Sequence, residues 1–201
     1  MSTRRLAPEQ PATFAFTPDN RAWAQKQIAK YPQGKQASAV VPLLWRAQEQ
    51  NGGYVTEPMM RVIGELLGMS PIRVLEIATF YTMFNLKPVG KNLLQVCTTT
   101  PCWLRGSEDV VAACRKHIHP HAETVSADGK LSWMEVECLG ACVNAPVIQV
   151  GDDFYEDLDG GRTEGLINDL RSGRPTRPGS QIGRQTSAPE GGPTTLKEVK
   201  S

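Results

Sequence analysis

Asn92-Leu-Leu-Gln-Val-Cys97-Thr-Thr-Thr-Pro-Cys102 decides the reading of this chain, together with its counterpart Glu137-Cys138-Leu-Gly-Ala-Cys142. Asn92 to Val96 is an apolar run of strand length, and the first cysteine follows it directly. The second pair follows Thr124 to Val136, which reads as strand, Asp128-Gly129 turn, strand. Both pairs are therefore expected in loops at strand ends. Two loops leaving the same end of adjacent strands can bring Cys97, Cys102, Cys138 and Cys142 to one site, as zinc or an iron–sulfur cluster requires.

The spacings are C-x4-C and C-x3-C. Structural zinc sites favour C-x2-C knuckles, whereas wider loops suit a two-iron cluster with two ligands per iron. From the residues alone three readings stay open: a [2Fe–2S] cluster, a zinc site, or four unliganded thiols. A thiol–disulfide enzyme would carry C-x-x-C near a βα turn, and there is none. Around the pairs, Thr98, Thr99 and Thr100 can offer hydroxyl donors, and Gly106, Gly140 and Ala141 let backbone amides approach the sulfurs. A helix beginning near Ser107 is expected to turn its positive end toward the first loop. Arg105 either adds a charge there or stays solvated.

Working outward, the chain has 201 residues, 22 basic against 21 acidic, and a net charge of +1. So even a balance gives no bulk attraction to nucleic acid or to an anionic membrane. Arg4 and Arg5 have no apolar stretch behind them, so no secretory signal is expected. The longest apolar stretch, Ala39 to Trp45, falls far short of the about 20 residues that span a bilayer. In a reducing compartment clustered thiols read as metal or redox sites. The fifth cysteine, Cys114, falls among Val111, Ala112 and Ala113 in a predicted helix from Ser107 to Lys116, and reads as a packed thiol.

Four segments are expected. Residues 1–19 form a loose, proline-broken arm. Residues 20–86 form a small helical domain: a helix capped by Asp19 or Asn20, a second over Ser38–Gln50 kinked at Pro42, a third capped by Thr56 and stopped at Gly68, and a fourth capped by Ser70 with Pro71 at its first position and running through Tyr81. Residues 87–170 form a small α/β layer of order close to β-α-β-β-β-α, with a hairpin over Val147–Val150 and Asp153–Tyr155 and a closing helix over Gly160–Leu170. Residues 171–201 hold six Lys or Arg, two acids and no apolar period, and read as a disordered tail of net charge +4. The fold class is thus α+β.

With these motifs in place, Cys97-Thr-Thr-Thr-Pro-Cys102-Trp-Leu-Arg-Gly and Glu137-Cys138-Leu-Gly-Ala-Cys142-Val-Asn-Ala-Pro resemble the E-type subunit family of NADH–quinone oxidoreductase, the small [2Fe–2S] subunit of respiratory complex I. Ala78-Thr-Phe-Tyr-Thr-Met-Phe84 ahead of Pro88-Val-Gly-Lys91 resembles it too, and the match covers about residues 20–170. The resemblance implies a thioredoxin-like ferredoxin domain behind a helical domain, with Cys97, Cys102, Cys138 and Cys142 ligating one [2Fe–2S] cluster. It implies a partner that binds flavin mononucleotide and NADH, contacts with other peripheral-arm subunits, and a cis peptide at Pro146. It implies a peripheral place on the cytoplasmic or matrix-equivalent face of the inner membrane, reached through the complex. The chain lacks G-x-G-x-x-G and a P-loop, so a complete active site is not expected on it. The rivals are the equivalent subunit of an NAD-linked hydrogenase or formate dehydrogenase, and a zinc-stabilised adaptor.

Three further groups read as structural. His117, His119 and His121 suit a solvated helix end. Asp152, Asp153, Glu156, Asp157 and Asp159 suit a solvated hairpin. Phe80, Met83 and Phe84 cannot all point inward from one helix, so part of that stripe is expected to face outward.

Overall fold

Proline and glycine punctuate the N-terminal half as capping chemistry requires. The structure, a computed structural model, describes residues 4–189, 191, 192 and 195. The chain divides into two compact units at Val89–Gly90. In the first, helix α1 (Pro18–Ile28) is capped by Thr17, whose hydroxyl accepts from the Asn20 amide at 3.3 Å. The cap lies two residues before Asp19 and three before Asn20, the two expected, because Pro18 suits the first helical position and Thr17 supplies the oxygen. Helix α2 (Val40–Gln50) follows a 3₁₀ turn over Gln36–Ala39. Pro42 falls in its first turn, where no intrahelical donor is needed, so it starts the helix and does not kink it. Helix α3 (Glu57–Leu67) stops at Gly68 with φ 63°, and α4 (Pro71–Phe80) starts after Ser70. Their apolar faces meet in a core of Leu43, Leu44, Met59, Met60, Ile63, Val74, Ala78 and Phe84.

The arm is not loose from Arg4 onward. The Arg4 guanidinium donates to the carbonyls of Ala78, Thr79, Tyr81 and Phe84, so it closes the C-terminal end of α4 and the turn after it. The Ala7 amide donates to the Leu86 carbonyl at 2.8 Å, and Phe16 joins the core.

The second unit is built on one mixed sheet of order β2-β1-β3-β4-β5. Its strands are β1 (Asn92–Cys97), β2 (Leu131–Val136), β3 (Ile148–Val150), β4 (Asp153–Glu156) and β5 (Gly179–Ser180). β1 runs parallel to β2 and antiparallel to β3. The parallel pair needs a crossover, supplied by α5 (Thr100–Leu104) and α6 (Ser107–His117). Helix α7 (Gly160–Ser172) packs on α6. Gly90 lies so close to the Leu131 backbone that a Cβ has no room, and its amide donates to Ser132 Oγ at 3.0 Å.

Alternation along the strands sorts side chains to two faces. Leu94, Val96, Leu131, Trp133, Ile148, Val150 and Tyr155 meet α6 and α7 through Val110, Cys114, Leu166 and Ile167. Cys97, Val147 and Phe154 belong to a separate small cluster with Cys102 and Ala145.

Two expectations fail here. Thr124–Val136 holds one strand, β2 over Leu131–Val136, not a hairpin of two. Residues 123–126 run beside β2 with only two backbone bonds, Glu123 to Trp133 and Ser126 to Leu131, because the Ser126 hydroxyl closes the turn onto Asp128 and the Leu131 amide. The tail is ordered through its described part: β5 pairs with β4 in the register Tyr155 with Gly179 and Glu156 with Ser180. This order comes from backbone pairing and ion pairs rather than apolar burial, which is why hydropathy does not reveal it. Residues 190, 193, 194 and 196–201 of the expected tail lie outside the described residues. No helix among the described residues is long and apolar enough to cross a membrane.

Candidate metal centre

Because β1 and β2 are parallel neighbours with Cys97 opposite Val136, both cysteine loops leave the same end of the sheet. Cys97 ends β1 and is buried. Cys102 is buried in α5, a single turn absent from the expected elements. Its signal is present in the sequence: Thr99 is a good N-cap type and Pro101 sits in the first turn. Thr99 does not spend its hydroxyl on that cap; it lies 3.3 Å from Cys97 Sγ. Cys138 is exposed two residues past β2, and Cys142 opens a 3₁₀ turn over Cys142–Asn144. Cys138 Sγ and Cys142 Sγ are 3.4 Å apart. Gly140, at φ 84°, lets the loop between them curl.

The electrostatics tie the two loops together. Burial pushes the Cys97 thiol up, but the Thr99 hydroxyl, the amides of Leu139 and Thr99, and the Cys102 thiol outweigh it and hold Cys97 below the ordinary value. Burial and the neighbouring Cys97 push Cys102 up to about 12, against the opposing Val147 amide. In the second pair the Gly140 amide, helped by Cys142 and Thr99, lowers Cys138, while Cys138 itself raises Cys142. Each pair thus has one thiol disposed to ionise beside one that keeps its proton.

The family model described as thioredoxin-like [2Fe–2S] ferredoxin matches residues 24–171. The first of the E-type subunits of NADH-quinone oxidoreductase in Rhizobium meliloti (strain 1021) is 52% identical over 98% of this chain and 73% of its own. The chain belongs to the E-type subunit family of NADH–quinone oxidoreductase. The E-type member of Rickettsia bellii (strain RML369-C) is 52% identical over 79% of this chain and 95% of its own. The mitochondrial NADH dehydrogenase [ubiquinone] flavoprotein 2 of Dictyostelium discoideum is 43% identical over 92% of this chain and 75% of its own. A solved NAD⁺-reducing [NiFe]-hydrogenase in the air-oxidized state overlays with TM-score 0.56 at 18% identity, over 66% of this chain and 23% of that one, a likeness of fold. The cofactor of the family is a [2Fe–2S] cluster.

The donors suit such a group. Among the described residues no group of three or more His, Cys, Asp or Glu side chains is set to hold a metal ion. The thiols come instead as two pairs, Cys138 and Cys142 with sulfurs 3.4 Å apart and Cys97 beside the Thr99 hydroxyl on the loop that carries Cys102, and four soft thiol donors in two pairs are of the kind that two irons take. Of the expected hydroxyl donors, Thr99 is the one at the sulfurs. Helix α6 carries Glu108 and Asp109 in its first turn, and these carboxylates take up its N-terminal charge.

Cys114 stands apart. It is buried on the α6 face of the sheet and desolvation pushes its thiol up to about 12. Iodoacetamide at pH 8 is expected to leave Cys114 unlabelled in the folded chain and to label it after denaturation, by peptide mass spectrometry. Of the histidines, His117 Nε2 is 3.4 Å from Glu164, the His121 amide donates to His119 Nδ1 at 3.1 Å, and the His119 carbonyl accepts from Trp133 Nε1 at 2.8 Å. The acidic run is not a solvated hairpin throughout. Asp157 is buried, Glu156 accepts from Asn144 Nδ2 at 2.6 Å, and Asp159 caps α7 through the Arg162 amide. Phe84 is buried and Phe80 faces outward.

Proposed function

We propose that this chain is a one-electron carrier subunit of an NADH–quinone oxidoreductase, in which Cys97, Cys102, Cys138 and Cys142 hold one [2Fe–2S] cluster. The observation that supports the ligand set is the parallel pairing of β1 with β2, with Cys97 opposite Val136, which sends both cysteine loops out at the same end of the sheet. When bound, the cluster supplies a centre that takes and gives up one electron at a time. Cys97 and Cys102 would hold it from the buried side, and Cys138 and Cys142 from the exposed side. The Leu139, Gly140 and Val147 amides and the Thr99 hydroxyl point donors at the sulfurs, which favours the more negative, reduced state.

NADH gives up a hydride, so a flavin must stand between it and a one-electron centre. The sequence holds no nucleotide-binding motif, which supports placing flavin mononucleotide and NADH on a partner subunit and a complete active site nowhere on this chain alone. Attachment to the cytoplasmic or matrix-equivalent face of the membrane would then come through the complex. The test is metal analysis with electron paramagnetic resonance of anaerobically purified, dithionite-reduced protein. About two irons per chain and a rhombic signal on reduction are expected. One zinc per chain, or no signal, would overturn the reading.

A further inference from the structure

Residues 173–189 lie beyond the 24–171 that the family model matches, yet they reach back to the second cysteine loop. β5 pairs with β4, and Tyr155 Oη lies 2.6 Å from Thr176 Oγ1 at the start of the segment. The Ser180 hydroxyl donates to Asp157 Oδ2 at 2.6 Å. The chain then turns, and Arg184 Nη1 donates both to Asp157 Oδ1 at 2.8 Å and to the Val143 carbonyl at 3.2 Å. Arg184 and Asp157 are 9% and 4% exposed, so this pair is shielded from solvent screening. Two residues on, the Thr186 carbonyl accepts from Asn144 Nδ2 at 2.8 Å, and the Asn144 carbonyl in turn accepts from the Asp157 amide at 2.7 Å. Val143 and Asn144 are the two residues after Cys142 in its 3₁₀ turn.

We propose that residues 176–189 form a strap that fixes the Cys138–Cys142 loop, with Arg184 as its positioning residue. This rests on the ligand set given above. Arg184 suits the task because its planar fork divides its bonds: Nε donates to the Ala188 carbonyl at 2.7 Å within the strap, while Nη1 serves the Asp157 carboxylate and the Val143 carbonyl, holding the 3₁₀ turn against the end of β4. A lysine at this position keeps the charge for Asp157 but offers a single point in place of the fork. The strap thereby acts on the cluster through Cys142 without touching it.

The experiment compares full-length Arg184→Gln, Arg184→Lys and a chain truncated after Gly173 with the unaltered chain and with Arg174→Gln. Arg174 pairs with Asp169 at the exposed end of α7 and serves as the control. Cluster loss to an iron chelator, resonance g-values, midpoint potential and melting temperature are read on each. Arg184→Gln is expected to lose its cluster about ten-fold faster, with altered g-values. Arg184→Lys is expected to recover the melting temperature but not the g-values, a split that a purely stabilising ion pair would not produce. Arg174→Gln should match the unaltered chain. Unchanged g-values, potential and loss rate in Arg184→Gln and in the truncated chain would overturn the strap alone. An unaltered chain without a cluster would overturn the ligand set and the strap with it.

Discussion

Cys102→Ser is expected to abolish the reduced-state resonance signal, lowering cluster occupancy by about ten-fold or more. The Cys102 thiol is 1% exposed, so nothing from solvent can take its place at the metal. A serine hydroxyl there ionises far less readily than a thiol in surroundings that already push Cys102 up to about 12. Metal-binding free energy at such a site is folding free energy, so the melting temperature should fall together with the signal. Cys138→Ser tests the same ligand at the exposed end, where the loop can adjust, and a partial loss is expected there. Cys114→Ser supplies the contrast, because that side chain lies on the opposite face of the sheet. A Cys102→Ser protein with full occupancy and an unaltered spectrum would remove Cys102 from the ligand set.

Trp133→Ala should cost about 3–5 kcal/mol of unfolding free energy, close to the whole stability of a marginal domain. Trp133 is 1% exposed at the centre of β2, opposite Leu94 in the register with β1. Truncation opens a cavity between the sheet and α6. It also strips the His119 carbonyl of its indole donor at 2.8 Å, adding about 1 kcal/mol or more for an unsatisfied acceptor. Trp133→Phe keeps most of the volume and loses the hydrogen bond, so a smaller loss is expected. Urea unfolding of the three proteins measures both parts. A loss below about 2 kcal/mol for the alanine variant would show that the core closes over the gap.

The features that sequence made legible were those encoded locally. Pro58 and Gly68 bracket α3, and Pro71 opens α4, because first-turn prolines and left-handed glycines act within one helical turn; Thr56 and Ser70 stand at the N-cap positions, but neither hydroxyl makes the expected capping bond. The thiol pairs were legible because each follows a strand, and parallel pairing of β1 with β2 then sends both loops out at one end. What stayed hidden depends on residues far apart in the chain. Arg4 reaches carbonyls at 78–84, and Arg184 reaches Asp157 and Val143; neither carries a hydropathy signal. The acidic run looked solvated for the same reason, since the cation that buries with Asp157 lies 27 residues away. The short α5 escaped because five residues are too few to show a period.

The net charge of the tail also changes meaning. Of the tail's six cations, Arg171, Arg174 and Arg184 pair with Asp128, Asp169 and Asp157, so half of its apparent basicity is taken up within its own unit.

The alternation along β1 has a consequence for how this gene can change. Val96 packs with the helices and Cys97 with Cys102 and Val147, one residue apart. With the strand's pairing kept, inserting one codon between Asn92 and Cys97 would set Val96 in the place of the Cys97 thiol, and deleting one would turn that thiol into the hydrocarbon packed by α6 and α7. Length variation in this strand is therefore confined to steps of two, a parity rule that the flanking loops do not share.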